Sequence, residues 1–221
     1  MSDPASQDYW QDRDCLRVPQ ECVLAAARNL ARAVDLHLAN QPKKASQLIA
    51  STNVREVRAY IDSLWGSSRR FPERAHYLRW RKVNGLPTKK DKAKDRMPGR
   101  QVKRALIERD GYHCKYCQLP VIPGEVRTRI RTIYPEALPW GSTNASQHAA
   151  FQALWLQYEH VLPASFGGTS DLSNMVIACA GCNYGKGSFH LRELGLRDPR
   201  KRSPVKSNWR GLTQFAEGTF L

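Results

Sequence analysis

The sequence predicts an α+β fold in which a helical N-terminal region precedes a small strand–loop–strand–helix unit held together by cysteines. Three observations predict it: apolar residues at helical spacing in the first third of the chain, two short apolar stretches typical of strands, and four cysteines in two distant pairs. With 221 residues, 41% of them apolar, the chain has the size of one medium domain or two small ones and can bury a real core.

The N-terminal region is predicted to be helical. Residues 20–39 carry apolar side chains at helical spacing, and Asn53 with Glu56 forms a capping-box-like start for a second helix. A third helix is expected over residues 72–83, because a breaker, Asn-Gly, follows. We therefore expect residues 1–85 to form a helical unit that contacts either another protein, including a second copy of this chain, or the backbone of DNA.

The positive charge lies in two blocks. The net charge is +15, and residues 66–109 carry 15 basic and 4 acidic side chains, while residues 192–221 carry 7 basic and 3 acidic ones. Segregated basic blocks are typical of proteins that bind a polyanion, usually a nucleic acid. The alternative is a solvated surface that keeps the protein soluble.

No membrane partner is predicted. No apolar run approaches the roughly 18–20 residues needed to span a bilayer, and the N-terminus lacks the basic start and apolar stretch of a signal peptide. We therefore expect a cytoplasmic protein.

The rest of the chain divides by composition. A polar, basic stretch with proline and glycine predicts a linker, and short helices are expected over 100–109 and near 145–156. The predicted boundaries are 86–99 for the linker, 100–195 for the cysteine-containing domain with an inserted segment at 118–157, and 196–221 for a basic C-terminal tail.

Four cysteines form two Cys-x-x-Cys pairs, Cys114 with Cys117 and Cys179 with Cys182. Two such pairs supply the four thiolates of a tetrahedral structural zinc site, whereas a single pair would also suit redox chemistry. The two remaining cysteines, near the N-terminus, fit no ligand spacing and are either buried small apolar residues or free thiols. The sequence therefore predicts Zn²⁺ bound by four sulfurs.

The stretch between the pairs predicts two strands and a loop. Residues 158–163 form a short strand closed by proline, residues 166–169 a tight turn, and residues 175–178 a second strand. A helix is expected to begin near Asn183.

Together, RDGYHCKYC (109–117), YEHVLP and SNMVIACAGCNYGKG resemble the HNH endonuclease family, whose fold is the ββα-metal nuclease module. The resemblance covers roughly residues 100–190, with a long segment between Cys117 and Glu159. It implies a small zinc-stabilised nuclease module that hydrolyses phosphodiester bonds.

The resemblance implies a role for each polar residue. His160 matches the general base, and Asn174 matches the residue that braces the loop. Glu159 and Asn183 match ligands of a catalytic Mg²⁺ or Mn²⁺, although neighbouring residues on a regular strand point to opposite faces. Asn183 could instead cap the last helix. Lys186 either meets a phosphate oxygen or is a solvated helix charge.

The expected substrate is double-stranded DNA, cut in a setting such as phage defence or restriction. Two alternatives stay open, a zinc-stabilised binding module without catalysis and a nuclease that acts on RNA. The first basic block interleaves arginines with Tyr77 and Trp80, whose rings we expect in the core. Its cations are expected to contact the phosphate backbone: Arg69, Arg70, Arg74, Arg79, Arg81 and Lys82.

Overall fold

The computed structural model describes residues 12–65, 73–86 and 97–216. Its helices, in chain order, are α1 (Glu21–Leu38), α2 (Pro42–Ala50), α3 (Arg55–Trp65), α4 (Glu73–Tyr77), α5 (Arg100–Asp110), α6 (Gly124–Ile133), α7 (Ala149–Ala153), α8 (Ala180–Lys186) and α9 (Leu191–Leu194). Two strands, β1 (Leu156–His160) and β2 (Met175–Cys179), lie between α7 and α8. In these ranges the structure has no helix with the length and apolar character that crossing a bilayer requires.

The strands confirm the predicted α+β class. β1 and β2 pair antiparallel, with Leu156 opposite Cys179 and His160 opposite Met175. Every residue of β2 is buried, because β1, α5 and α8 surround it. The chain leaves β1 at His160, forms the loop 161–174, returns through β2 and enters α8, so strand, loop, strand and helix follow in the predicted order.

The N-terminal helices pack directly on this unit. α3 contacts both α7 and α8, and its side chains Ile61 and Leu64 lie over Gly181. A Cβ atom at Gly181 would come within 2.7 Å of a Leu64 methyl group, so the absence of a side chain there permits the close approach. Buried residues of α1, α3 and both strands belong to one hydrophobic cluster. The predicted domain boundaries stay a prediction.

Several sequence expectations need correction. The helix predicted over 72–83 is shorter in the structure, which ends α4 at Tyr77. The helix predicted near 145–156 is only α7, preceded by a short 3-10 turn at 144–146. The inserted segment 118–157 also contains α6, which the sequence analysis missed. Arg69, Arg70 and residues 87–96 of the predicted linker lie outside the described residues.

Candidate active site

The four predicted zinc ligands come together in the core. The Sγ atoms of Cys114, Cys117, Cys179 and Cys182 all lie within 4.8 Å of one another, and the cysteines are buried. Sγ of Cys117 lies 3.7 Å from Sγ of Cys179. A tetrahedral zinc ion with sulfurs at about 2.3 Å would separate them by about 3.8 Å, so the cluster fits Zn²⁺ in both chemistry and size.

Hydrogen bonds inside the cluster favour an ionised thiol. Burial opposes ionisation of Cys114, but hydrogen bonds with the other three cysteines outweigh it and hold the Cys114 pKa well below its usual value. The backbone N–H groups of Cys117 and Cys182 also point at sulfurs, 3.5 Å from Cys114 Sγ and 3.4 Å from Cys179 Sγ. Since zinc binds the thiolate form, the cluster is prepared for the metal.

The first cysteine pair completes the outer edge of the sheet. The backbone N–H of Lys115 donates to the carbonyl of Ile177 at 2.8 Å, and Ile177 N–H donates to the carboxylate of Asp110 at 3.0 Å. The Asp110 side chain is fully buried and also pairs with Arg109. Sequence reasoning missed Asp110, although a charged residue at the end of a helix just before a cysteine pair was a signal for it.

His160 lies at the end of β1 and is half-buried. Its Nε2 atom lies 2.9 Å from the hydroxyl oxygen of Ser170 in the following loop. Burial lowers the His160 pKa, and the nearby charge of Lys186 lowers it further. The ring is therefore neutral at physiological pH and can accept a proton. Ser170 was not predicted, and only its presence in the loop between the strands could have indicated it.

Asn174 closes the loop that carries Ser170. Its Oδ1 accepts from Leu162 N–H at 2.9 Å, and its Nδ2 donates to the carbonyls of Leu162 at 3.1 Å and Thr169 at 2.9 Å. The backbone carbonyl of Asn174 also accepts from Val161 N–H at 2.8 Å. These bonds connect the two ends of the loop beside His160.

Glu159 and His160 point to different surroundings. The Glu159 carboxylate faces α8, where it forms an ion pair with Lys186 at 2.7 Å, and both side chains are almost completely buried. Burial raises the Glu159 pKa to about 7, against the opposing effect of Lys186. Lys186 also donates to the backbone carbonyl of His160 at 3.0 Å.

This arrangement alters the prediction for Lys186. The residue is only 1% exposed. Its ammonium group contacts the Glu159 carboxylate and the His160 carbonyl, so it is not accessible to the phosphate that was predicted as its partner. The alternative of a solvated helix charge is wrong as well, because the side chain is buried. Sequence reasoning could not find the ion pair, since it depends on how α8 docks on β1.

Asn183 lies inside α8, with its Nδ2 atom 3.5 Å from Oε1 of Gln157 on β1. The alternative reading of Asn183 as a helix cap is wrong, because α8 begins three residues earlier and Cys179 caps it. Gln157 was not predicted. Asn183 and Glu159 thus contribute to the same interface between β1 and α8.

Carboxylate and amide oxygens are the ligand types that Mg²⁺ prefers, so Glu159 and Asn183 have the right chemistry for a divalent cation. Asn183 Oδ1 has no hydrogen-bond partner within the described residues and fits such an ion as it stands. Glu159 fits in chemistry, but it shares its carboxylate with the ammonium group of Lys186. The predicted catalytic metal site therefore stays a prediction.

The predicted nucleic-acid contacts in the first basic block have varied surroundings. Arg74 is half-buried and donates to the Leu64 carbonyl, while Arg81 and Lys82 are exposed. Arg79, half-buried, accepts a bond from Arg13 through its carbonyl. The prediction that both aromatic rings of this block lie in the core holds for Tyr77 and is wrong for Trp80. Tyr77 is half-buried against the core, with the Arg17 guanidinium 4.5 Å from its ring. Trp80 is 53% exposed and contacts Phe189.

Comparison with known families agrees with this geometry. Residues 149–198 match the family model described as HNH endonuclease. The match contains β1, the loop with Ser170 and Asn174, β2, the second cysteine pair and α8. No curated protein and no solved structure matches the chain. The predicted resemblance is confirmed over this segment, and a match to this family indicates nuclease activity.

Proposed function

We propose that the protein is a divalent-metal-dependent endonuclease that hydrolyses phosphodiester bonds in DNA. The observation that carries the proposal is His160, neutral and held by Ser170 at the end of β1, inside the segment that matches the HNH endonuclease family. The predicted settings, phage defence or restriction, stay predictions.

His160 is the general base of the proposed reaction. If Nε2–H donates to Ser170, the lone pair of the ring is on Nδ1, which has no hydrogen-bond partner within the described residues. Nδ1 accepts a proton from water as the water oxygen forms a bond to phosphorus. The bond between phosphorus and the 3′ oxygen breaks, and the leaving oxygen takes a proton from solvent, which gives 5′-phosphate and 3′-hydroxyl ends.

Asn174 acts on His160 indirectly. By fixing both ends of the loop, it holds the Ser170 hydroxyl 2.9 Å from the ring and so limits rotation of the imidazole. A base must be held close to its productive position, because a misplacement of about 1 Å can cost about 100-fold in rate. Asn174 is thus proposed as a positioning residue.

The residues that would hold a divalent cation are Asn183, through Oδ1, and Glu159, as the sequence predicts. When bound, Mg²⁺ or Mn²⁺ would stabilise negative charge that develops on the scissile phosphate and on the leaving oxygen. Zinc in the cysteine cluster has no part in the chemistry, since four sulfurs leave it no open position.

The test is cleavage of supercoiled plasmid by wild type, His160→Ala and the control His76→Ala, which alters an exposed histidine on α4. Wild type and the control should nick DNA in Mg²⁺ or Mn²⁺, whereas His160→Ala should lose about 10²- to 10⁴-fold in rate, the usual contribution of a general base. Cleavage is compared in buffer with and without Mg²⁺, and the zinc content of the protein is measured in parallel to show that bound zinc is the same in both.

Three outcomes would count against the proposal. Equal cleavage by wild type and His160→Ala would remove His160 from the mechanism. Binding of DNA without cleavage in any metal would favour the binding-module alternative. Cleavage of a matched RNA but not of DNA would assign the nuclease to RNA.

A further inference from the structure

Two neighbouring cavities form one groove beside the candidate active site. The first, of about 620 Å³, begins at Val161 and Leu162, the residues directly after His160. The second, of about 540 Å³, reaches Arg81 and Lys82. Asp12, Arg192 and Leu196 line both cavities, so the two lie side by side. We call this concave surface the basic groove.

Backbone hydrogen bonds connect the three segments that carry the residues of the basic groove. Arg13 N–H donates to the Gly195 carbonyl at 2.8 Å, and Arg197 N–H donates to the Arg13 carbonyl at 2.9 Å. Arg81 N–H donates to the Glu193 carbonyl at 2.9 Å. Three segments far apart in sequence are thus joined, and the cations that they carry have defined relative positions.

The groove has an excess of positive charge. Its cationic side chains outnumber its acidic ones, which are Asp12, Asp14 and Asp198. Two of these acids hold arginines in place: Asp198 pairs with Arg200 at 2.6 Å, and Asp14 pairs with Arg197 at 3.3 Å. The cations of the groove are Arg81, Lys82, Arg192, Arg197, Arg200, Lys201 and Arg202.

Three of these cations are available to a ligand. Lys82, Arg192 and Lys201 are exposed and have no ion-pair partner among the described residues. Lys82 and Lys201 lie in different cavities, whereas Arg192 lies where the cavities join. Available cations therefore occur along the whole groove.

A ligand of repeated negative charge fits this distribution. A single small anion would use one end of the groove, whereas a sugar-phosphate backbone presents a charge at each nucleotide along its length. The groove also ends beside the residues that follow His160, where a phosphodiester must be delivered for hydrolysis.

We propose that the basic groove binds the sugar-phosphate backbone of the nucleic acid that the protein cuts and directs it to His160. The proposal rests on the proposed nuclease function. It assigns nucleic-acid contacts to residues 192–202, at the start of the second basic block, and keeps only Arg81 and Lys82 from the contacts predicted by sequence.

The test measures binding of a fluorescent DNA duplex to full-length protein carrying His160→Ala, which prevents cleavage. Arg192→Ala with Lys201→Ala removes two cations from the groove. Lys43→Ala with Lys44→Ala is the matched control, since it removes the same charge from an exposed part of α2. Thermal unfolding of both double variants checks that the fold is intact.

Salt dependence is the decisive measurement. Loss of two phosphate contacts should reduce the slope of log K against log salt by about 1.8 for duplex DNA and weaken binding at least about tenfold at low salt. In proteins with His160 restored, the groove variant should have a raised KM and an unchanged kcat, because these residues bind substrate and do not react with it. The control should behave like wild type in each assay.

The outcomes separate this inference from the proposed function. If wild type cuts DNA but the groove variant has the salt slope and KM of the control, the groove is not the nucleic-acid site. If wild type neither binds nor cuts any nucleic acid, both proposals fail together. A lowered kcat with unchanged KM would also overturn the inference, since it would indicate a role in the chemistry.

Discussion

Gly168 offers a direct test of how the loop between the strands positions His160. A Cβ atom at this position would lie 1.8 Å from the carbonyl oxygen of Leu162 and 2.8 Å from Nδ2 of Asn174. Neither neighbour can move easily, because the first is backbone and the second makes two hydrogen bonds. Gly168→Ala should therefore force the loop away from β1.

The size of the effect follows from the geometry. Real Cβ contacts are not shorter than 3.0 Å, so the loop must open by about 1.2 Å. This displacement breaks the three side-chain hydrogen bonds of Asn174. At about 0.5–1.5 kcal/mol each, their loss lowers the free energy of unfolding by about 1.5–4.5 kcal/mol. For a protein of this size, the melting temperature should fall by about 3–18 °C. Nicking should slow by about 100-fold, because Ser170 moves with the loop.

The assay combines thermal unfolding, zinc content and plasmid nicking at a temperature where the variant is folded. Gly99→Ala is the control, since a Cβ there meets nothing within 4 Å. Zinc content should be unchanged in both variants, as neither glycine touches the cysteine cluster. If Gly168→Ala melts and nicks like wild type, the loop does not hold His160 in the way argued.

Two further predictions concern the buried polar groups. Cys179→Ser should lose zinc and cooperative unfolding, and retention of one zinc per chain with normal stability would contradict the four-sulfur site. For Glu159, burial raises the pKa from its ordinary 4.5 to about 7, so the folded protein holds a proton that the unfolded chain releases, and stability is lost as the pH rises through 7. Urea unfolding at pH 5.5 and at pH 8 should therefore show that the stability of Glu159→Gln, relative to wild type, is about 2 kcal/mol greater at pH 8 than at pH 5.5. If the stability difference between the two proteins is the same at both pH values, the raised pKa of Glu159 is refuted.

Local patterns in the sequence were sufficient for much of the site. Each cysteine pair and each strand beside the loop is visible in a short stretch of sequence, whereas the roles of His160 and Asn174 follow from the resemblance to the HNH endonuclease family. Helix α6 also left a local signal, since buried Val126 and Ile130 are four residues apart, but the intervening arginines made the segment resemble a basic loop.

What the sequence did not reveal depends on contacts between distant segments. The strand alternation that separates Glu159 from His160 was anticipated, but the burial of Glu159 against Lys186 requires the docking of α8 on β1. The basic groove likewise requires the pairing of Arg13 with Leu196, 183 positions apart, which no periodic pattern indicates. Composition showed which segments of the chain are basic, but it could not show which of their cations lie together in the basic groove.

The zinc cluster is expected to control activity through the sheet, without contact with the substrate. A hairpin of two five-residue strands is at best marginally stable alone. Here Lys115, which lies between the cysteines of the first pair, donates its backbone N–H to the Ile177 carbonyl on the outer edge of β2. Cys179 ends the same strand and caps α8. Zinc would therefore connect the edge of the sheet, its last residue and the helix that carries Asn183. Loss of zinc should abolish nicking because His160 and Asn183 are no longer held in position. Refolding the protein with added zinc should restore the folded structure and nicking together.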